Sequence, residues 1–308
     1  MFPPIHPDLR FHNYASYLRR RIGGPAVRIS VDGGFTCPNR DGTRGKGGCH
    51  YCNNDSFTGG ILFPGLPVEE QVLRTIHSPG RHRSAQRLLV YFQRYSNSYA
   101  PPEELNRLYR AAFCHPDVAG IIVGTRPDCL GPEVQDVLEG IGRTGYVSVE
   151  IGLQSKSDAV LARINRGHTV DEFVSAVAAV RSRGIDTGVH LIYGLPGDTR
   201  ENFVETAGFL SGLDVQGVKL HHFHVVAGSA MEREWKRGAL KVPEYKEYVS
   251  ACADFLERLS PEIAVLRLIG SAPSGTLIAP LWEKGGREMA RDVAAELRRR
   301  DTWQGALR

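Results

Sequence analysis

The chain has 308 residues, a formal net charge of +4 and a hydrophobic fraction of 42%. No apolar run approaches the roughly 20 residues that cross a bilayer, and the amino terminus has no basic stretch leading into an apolar core, so we expect neither a membrane protein nor a secreted one. Three of the six cysteines, Cys114, Cys129 and Cys252, occur singly, as reduced thiols do. The sequence therefore predicts a cytoplasmic protein.

The other three cysteines lie in a glycine-rich loop directly after a predicted strand over residues 27–31. Cys37, Cys49 and Cys52 have the spacing C-x11-C-x2-C. Three thiolates of this kind can ligate three irons of a cubane cluster and leave the fourth iron open to a small molecule. Two alternatives stay open at this point. One is a structural zinc site that also uses His50, and the other is a set of disulfides.

Short apolar strands alternate with amphipathic helices along most of the chain. Strands are predicted over residues 27–31, 88–92, 120–124, 147–152, 189–194 and 218–223. Apolar residues between them recur at i, i+3, i+4 and i+7, and Thr169 with Glu172 forms a capping box at one helix start. Repeated strand–helix–strand connections favour parallel pairing. We predict an α/β fold, a partial (β/α)6 TIM-like barrel.

The pattern changes after about residue 240, where a helix, a strand over residues 263–268 and a last helix over residues 287–300 follow. We interpret this tail as an extension packed on the barrel. The predicted parts are an N-terminal extension over residues 1–26, the barrel over residues 27–240 and a C-terminal cap of helix and strand over residues 241–308.

Polar or glycine-containing segments follow the later strands at their carboxyl ends. These segments are residues 92–99, 124–130, 149–155, 190–198 and 219–224. Chemistry in (β/α) barrels gathers at this edge of the sheet. Five such strand ends in succession predict a lined cavity.

Positive charge is concentrated in three clusters, residues 19–21, 81–83 and 298–300. Such clusters can hold the phosphates of a nucleic acid, with an affinity that falls with salt. The alternative is that they are solvated helix ends, which are common on protein surfaces.

Several of these segments together resemble a known family. The cysteine loop, with Tyr51 just before its last cysteine, is similar to the cluster loop of radical S-adenosylmethionine (SAM) enzymes, whose commoner spacing is C-x3-C-x2-C. Further segments occur in the same order as in the radical domain of the Elongator catalytic subunit: Thr125-Arg-Pro-Asp128, Glu150-x-Gly152-x-Gln154-Ser155, residues 165–170, Gly194-Leu-Pro-Gly197 and Trp235-Lys-Arg-Gly238. Stand-alone bacterial Elongator-like radical SAM proteins are more similar still, through Phe92-Gln93, Tyr95-Ser96-Asn97, Lys219-Leu-His221 and Trp303-Gln-Gly305.

The resemblance implies a 4Fe-4S cluster on Cys37, Cys49 and Cys52, with SAM chelating the fourth iron. The reduced cluster would split SAM into methionine and a 5′-deoxyadenosyl radical, which abstracts a substrate hydrogen. A one-electron reductant of the flavodoxin or ferredoxin type is the implied partner. No acetyltransferase domain is found in the 308 residues, so the Elongator reaction is not expected intact.

The resemblance also implies contacts with SAM. Gln93 is expected at the methionyl amino group, and Glu150 and Gln154 at the ribose hydroxyls. Glu150 has a structural alternative, a pair with Arg126 or with Arg166. Arg166 itself belongs to the expected cofactor-binding set. Tyr51 and the segment from Ile192 to Leu195, which includes Gly194, are expected to pack on adenine.

Four histidines and one cysteine have open roles. His190, His221, His222 and His224 suggest a second metal site, but no acidic partner accompanies them, so substrate contact or interior hydrogen bonding is the alternative. Cys129, beside the Arg-Pro-Asp turn, is the candidate catalytic thiol.

The leading function hypothesis is a radical SAM enzyme that modifies an anticodon uridine of tRNA, because the named relatives in the resemblance modify that base. The same chemistry on a small metabolite or a peptide is the first alternative. A zinc-stabilised protein that binds nucleic acid without catalysis is the second.

Overall fold

The computed structural model describes residues 5–54, 56, 61–78, 87–270, 272–273 and 275–308. Its centre is one sheet of seven parallel strands that are hydrogen-bonded in chain order. These strands are β1 (Ala26–Val31), β2 (Arg87–Phe92), β3 (Val118–Thr125), β4 (Tyr146–Gln154), β5 (Asp186–Tyr193), β6 (Gly217–His222) and β8 (Ala264–Arg267). A separate antiparallel pair consists of β7 (Val225–Val226) and β9 (Leu277–Ala279).

Helices connect the strands in the order that the periodicity predicts. They are α1 (Tyr14–Ile22), α2 (Val68–His77), α3 (Pro102–Ala111), α4 (Pro132–Gly142), α5 (Asp158–Arg163), α6 (Val170–Ser182), α7 (Arg200–Ser211), α8 (Ala230–Lys236), α9 (Tyr245–Arg258) and α10 (Gly286–Arg299), with a short 3-10 turn at Pro127–Cys129. No helix among the described residues is long and apolar enough to cross a membrane. The predicted fold class, an α/β partial barrel, is confirmed.

The helices cover the outer face of the sheet because strand residues alternate between its two faces. On β4, Val147, Val149 and Ile151 belong to the main hydrophobic core, whereas Glu150 lines a cavity on the inner face. The predicted capping box of α6 is confirmed, since Thr169 accepts from the N–H of Glu172 and the Glu172 carboxylate accepts from the N–H of Thr169. Helix α6 then buries its apolar face in the same core.

The C-terminal extension differs from the prediction in one respect. Its strand, β8, does not lie in a separate cap but pairs in parallel with β6 as the seventh strand of the sheet. The same strand–helix–strand connection that builds the barrel, here β6 to α9 to β8, explains this placement. The division into parts at residues 26 and 240 remains a prediction.

The N-terminal extension packs against the inner face of the sheet. Leu18 of α1 is buried against Leu89, Tyr91 and Ile122, which point inward from β2 and β3. The carbonyl of His12 accepts a hydrogen bond from the N–H of Val265 on β8. Helix α1 therefore contacts β1 and β8, the two edge strands, and forms a floor beneath the cavity described next.

Candidate active site

A cavity of about 630 Å³ opens at the carboxyl edge of the sheet. The cysteine loop, the interiors of the strands and their carboxyl ends all contribute to its wall. The lining residues include Arg28, Cys37, Cys49, Tyr51, Cys52, Tyr91, Gln93, Glu150, Gln154, Arg166, His190, Ile192, Lys219, His221 and Arg267. The cavity therefore lies where the polar strand ends predict one.

The cysteine loop is held in place by the segment that joins α5 to α6. Asn39 donates from Nδ2 to the carbonyl of Asn165 at 2.6 Å, and Asn165 donates in return to the carbonyl of Gly48 at 2.8 Å. The backbone N–H of His50 donates to the carbonyl of Ile164 at 2.9 Å. Asn165 has a left-handed backbone with φ of 51°, which asparagine tolerates better than most residues. These bonds fix the loop against the barrel with its cysteines facing the cavity.

The three cysteine thiols have unequal environments. Cys49 is buried and Cys37 and Cys52 are half-buried. Burial raises the pKa of Cys49, but the guanidinium of Arg166, its hydrogen bond to the sulfur and the charge of Arg126 outweigh burial and hold that pKa below its ordinary value. Burial, followed by the charges of Cys49 and Cys37, raises the pKa of Cys52 to about 12. Thiolates that share one cavity repel one another unless cations lie between them.

These features fit an iron–sulfur cluster. All three thiols line one cavity, so each can reach a different iron of a single cluster. Asn39 and Arg166 point N–H groups at the Cys49 sulfur at 3.6 and 3.5 Å, and donors of this kind tune bound clusters. The cluster's irons would supply the positive charge that three mutually repelling thiolates need.

The zinc alternative needs His50 as its fourth ligand. His50 is not among the described residues that line the cavity shared by the three thiols. Over the described residues, no three or more His, Cys, Asp or Glu side chains converge tightly enough to hold one metal ion. Cysteines that ligate separate irons of a cluster do not need that convergence.

Among the residues that the structure describes, the four histidines do not converge as ligands of a second metal ion. His222 packs on Trp282 with ring centroids 4.1 Å apart, and His190 is hydrogen-bonded to Glu150. Burial lowers the pKa of His222 to about 3 and that of His224 to about 4, so both rings are neutral at physiological pH. His222 also packs against His224 with ring centroids 5.4 Å apart, and all four histidines line the cavity.

Arg166 joins the cysteine loop to β4. Its Nη2 donates to the carbonyl of Gly152 at 2.9 Å, and its Nε donates to Nε2 of His168 at 2.9 Å. A side chain at position 152 would clash with Arg166, because a Cβ on Gly152 would lie 2.6 Å from the Arg166 Nη2. Arg126 also holds this segment in place, because its Nη1 donates a hydrogen bond to the Arg166 carbonyl at 2.8 Å.

Glu150 is a buried carboxylate with partners that the sequence does not indicate. Its Oε2 accepts from Tyr91 at 2.9 Å, from Lys219 at 3.1 Å and from Nε2 of His190 at 2.5 Å. Burial opposes ionisation, but Lys219, the His190 bond and Arg28 together hold the pKa of Glu150 well below its ordinary value.

The expected partners of Glu150 are engaged elsewhere. Arg126 pairs with Asp128 at 2.9 Å, and Arg166 bonds to Cys49, Gly152 and His168. The expected pairing of Glu150 with either arginine is therefore wrong. Strands β4 and β6 both pair with β5, and this arrangement brings Lys219 to Glu150 across β5.

Gln93 and Gln154 both line the cavity at strand ends. Gln154 has a left-handed backbone with φ of 77°, and the pairing of β4 with β5 shifts register between Gly152 and Gln154. The side chains of β4 nevertheless keep their alternation, so Gln154 lines the cavity on the same face as Glu150 while Leu153 lies in the core.

The structure separates the residues expected at adenine. Tyr51 and Ile192 line the cavity, but Gly194 and Leu195 are not among its described lining residues. Leu195 is buried in a second apolar cluster, against which Tyr51 and Ile192 also pack. Cys129 is likewise absent from the described lining, and burial raises the pKa of its thiol to about 12, so it is a poor nucleophile.

Sequence reasoning missed the basic and hydroxyl groups deep in the cavity, Arg28, Tyr91 and Arg267. Arg28 lies in β1, where it and Ser30 are the two polar residues and share one face of the strand. In the sequence, the signal for these cavity groups was therefore a charged residue at a strand position that faces inward.

The basic clusters are largely paired within the chain. Arg21 binds Asp186 at 3.0 Å, and Arg300 binds Asp254 and Glu296, each at 2.7 Å. Residues 81–83 lie outside the described residues. The structure thus favours the interpretation of the first and third clusters as helix ends.

Comparisons with known proteins identify the family of this arrangement. A family model described as the radical SAM superfamily matches residues 39–210, and one described as the radical SAM C-terminal domain matches residues 215–299. The chain is 34% identical over 307 residues to the uncharacterized protein YtqA of Bacillus subtilis, covering 99% of this chain and 94% of that protein.

Two further comparisons are more distant. The chain is 26% identical over 166 residues to a tRNA uridine(34) acetyltransferase of Dehalococcoides mccartyi, covering 53% of this chain and 35% of that protein. The solved structure of Methanocaldococcus infernus Elp3 with an N-terminal deletion superposes with a TM-score of 0.68, covering 91% of this chain and 64% of that chain at 14% identity. At so low an identity the superposition shows a shared fold.

Proposed function

The chain belongs to the radical SAM superfamily, and from that premise we propose that it modifies a uridine of the tRNA anticodon. Membership of the family makes it a radical SAM enzyme with a 4Fe-4S cluster and SAM as cofactors. The RNA substrate is our inference. The main structural support for radical SAM chemistry is that Cys37, Cys49 and Cys52 line one cavity. Asn39 and Arg166 direct N–H donors at Cys49.

When bound, the cluster supplies the electron that splits SAM into methionine and a 5′-deoxyadenosyl radical. The three cysteines are proposed to hold it. Gln93 and Gln154, at neighbouring strand ends of the cavity, are proposed to orient SAM through hydrogen bonds, and Tyr51 to pack on its adenine. The floor formed by α1 and the wall formed by β1 to β8 would shield the reaction from water.

Two lines of support favour tRNA as substrate. The first is the partial similarity to a protein named for acetylating tRNA uridine 34. The second is the basic lining of the cavity, which includes Arg28, Arg40 and Lys219 and suits a polyanionic substrate. Enzymes of this family need a one-electron reductant, and we propose a flavodoxin or a ferredoxin for that role.

The chemistry is tested on protein purified and reconstituted without oxygen. We expect brown protein with absorbance near 400 nm and, after addition of dithionite and SAM, formation of 5′-deoxyadenosine. Colourless protein that binds one zinc ion would support the non-catalytic alternative instead.

The substrate is tested in a deletion strain. Nucleosides from its tRNA are separated and compared with the parent by mass spectrometry, and we expect the loss of one modified uridine or the accumulation of its precursor. Complementation with the wild-type gene should restore the profile, and complementation with a Cys49→Ala gene should not. An unchanged profile, with SAM cleavage intact, would favour the metabolite or peptide alternative.

A further inference from the structure

The outer face of the cysteine loop carries unpaired positive charge. Arg40 and Lys46 are exposed in this loop, and neither forms an ion pair with a described residue. Arg44, which lies between them in the chain, differs from both because it pairs with Glu172 and Asp128. Two exposed cations of the loop therefore remain available to a partner.

Helix α8 lies beside this loop and extends the charged surface. The N–H of Met231, near the start of α8, donates to the carbonyl of His50 in the loop at 3.1 Å. Arg233 lies on α8 and Arg237 follows it directly, and both are exposed without an ion pair in the part of the chain that the structure describes. The four unpaired cations, called the basic rim below, are Arg40, Lys46, Arg233 and Arg237.

The carboxylates of this surface do not neutralise the basic rim. Glu232 pairs with Lys236 at 2.6 Å, and Glu234 pairs with Arg163. Asp41 is the one other carboxylate among the described residues of the loop and of α8. The surface therefore has a net positive charge.

The basic rim lies close to the thiols that are proposed to hold the cluster. Burial raises the pKa of Cys52, and the charge of Arg40 opposes that rise, so an exposed guanidinium acts electrostatically on one of the three sulfurs. Arg40 also packs beside the residue before Cys49, because a Cβ on Gly48 would lie 3.0 Å from the Arg40 Cγ. At this rim the proposed cluster site therefore approaches the outer surface.

Most of the basic rim lies outside the cavity. Arg40 is among the described lining residues, whereas Lys46, Arg233 and Arg237 are not. A substrate has to enter the cavity to meet the radical, and the charges that guide it are expected in the lining. A partner that delivers an electron needs only to approach the cluster from outside, so the position of the rim favours an electron carrier over an RNA substrate.

We propose that the basic rim is the docking surface of an acidic one-electron carrier protein. This inference deepens the reductant assignment of the proposed function and does not depend on the identity of the substrate. Complexes between redox partners are typically small and weak, and complementary charges set their rate of association. Four exposed cations on one face beside the cysteine loop suit such an encounter.

The electron count of the proposed step balances with a flavodoxin as carrier. Its anionic flavin hydroquinone loses one electron and becomes the neutral semiquinone, while the oxidised cluster gains that electron. No proton moves and no bond forms between the two proteins. The basic rim only holds the carrier near the cysteine loop while the electron passes.

Docking is tested directly by the binding of oxidised flavodoxin to full-length, anaerobically reconstituted protein, measured by surface plasmon resonance. We expect binding that weakens as salt is added, because exposed charges are screened. The double variant Arg233→Glu, Arg237→Glu should weaken it about tenfold, since each exposed charge pair contributes a few-fold. Binding that this variant leaves unchanged, or no binding by the wild type, would overturn the proposal.

Two arginines on α10 provide the matched control. Arg287→Glu with Arg291→Glu makes the same change of charge at the same spacing of four residues, and both arginines are exposed on a helix that packs on α9. We expect this control to bind flavodoxin like the wild type. An equal loss in the control would show that net charge alone governs binding, against a defined docking surface. Lys46→Glu is a second test variant, in the loop instead of the helix.

SAM cleavage with two reductants separates docking from damage to the site. With limiting flavodoxin hydroquinone, the double variant at Arg233 and Arg237 should form 5′-deoxyadenosine about tenfold more slowly than the wild type. With dithionite, a small reductant that needs no docking surface, the two proteins should have equal rates. Equal losses with both reductants would mean that the variant disturbs the site, and the docking role would be wrong.

RNA is the competing partner for a basic surface, and its binding is measured on the same variants. Filter retention of an unmodified tRNA transcript should be unaffected by the change at Arg233 and Arg237. A loss of tRNA binding with flavodoxin binding intact would assign the basic rim to RNA and refute the proposal. The nucleoside profile of the deletion strain tests the proposed tRNA substrate separately, so either idea can fail without the other.

Discussion

The guanidinium of Arg166 donates from Nη1 to the sulfur of Cys49 at 3.5 Å, in a site where both side chains are buried. Arg166 is held for this contact by its bonds to Gly152 and His168. The pair joins the cysteine loop to the barrel wall and places a fixed positive charge beside one cluster ligand.

Arg166→Met should make the cluster harder to reduce. A cation and an N–H donor at a ligand sulfur stabilise the more negative, reduced state, so their removal should lower the midpoint potential by about 60 mV, the one-electron equivalent of a tenfold change. The potential is measured by a redox titration followed by electron paramagnetic resonance. Arg163→Gln is the control, because Arg163 pairs with Glu234 near the surface. An unchanged potential in Arg166→Met would contradict the role.

Replacing Cys37, Cys49 or Cys52 singly by alanine should abolish reductive cleavage of SAM. Each variant removes one ligand of the proposed cluster, and iron content and absorbance near 400 nm should fall with the activity. Cys114→Ala is the matched control, since Cys114 is exposed, follows α3 and is not among the described residues that line the cavity. Full 5′-deoxyadenosine yield from any of the three variants would remove that residue from the ligand set.

Glu150 and Lys219 should be strongly coupled in stability. Glu150→Gln leaves the buried Lys219 ammonium without its counter-ion, so we expect a loss of about 3 kcal/mol in the free energy of unfolding. Lys219→Met in the Glu150→Gln background should recover part of that loss, because it removes the unpaired charge. Urea denaturation of the two single variants and the double variant measures the coupling. Additive effects would show that the pair is not a unit.

The stability of the protein should fall as the pH falls below 6.5, in part through His168. Burial, followed by the charge of Arg166, lowers the folded-state pKa of His168 to about 2, whereas the unfolded value is near 6.5. The unfolded chain therefore binds a proton that the folded chain does not. The contribution of His168 is complete above pH 6.5 and is lost toward acid at up to about 1.4 kcal/mol per pH unit.

His168→Gln tests this contribution, because a glutamine oxygen can still accept from Arg166. Urea midpoints are measured at several pH values between 6.5 and 4.5, and the slope for the variant should be smaller by about one proton. His77→Gln is the control, since His77 is exposed at the end of α2. Identical slopes for wild type and His168→Gln would show that the ring is protonated in the folded protein.

The site was predicted in outline because its parts are encoded locally. The cysteine spacing, the glycine-rich loop and the polar strand ends are each contained in a short segment, and parallel strands bring their carboxyl ends to the same edge whatever their order. Gln93, Glu150, Gln154 and Arg166 therefore line the cavity. Gly194 and Leu195 do not, because a loop after a strand can turn toward the core instead.

By itself the sequence determined the alternation of strands and helices, the fold class and the cysteines that face one cavity, since hydrophobic period and turn chemistry are local properties. Only the tertiary structure decided that Glu150 pairs with Lys219 rather than with Arg126 or Arg166, and that β8 joins the sheet. Strand order and register bring together residues far apart in the chain, and no local pattern specifies which inward charges then meet.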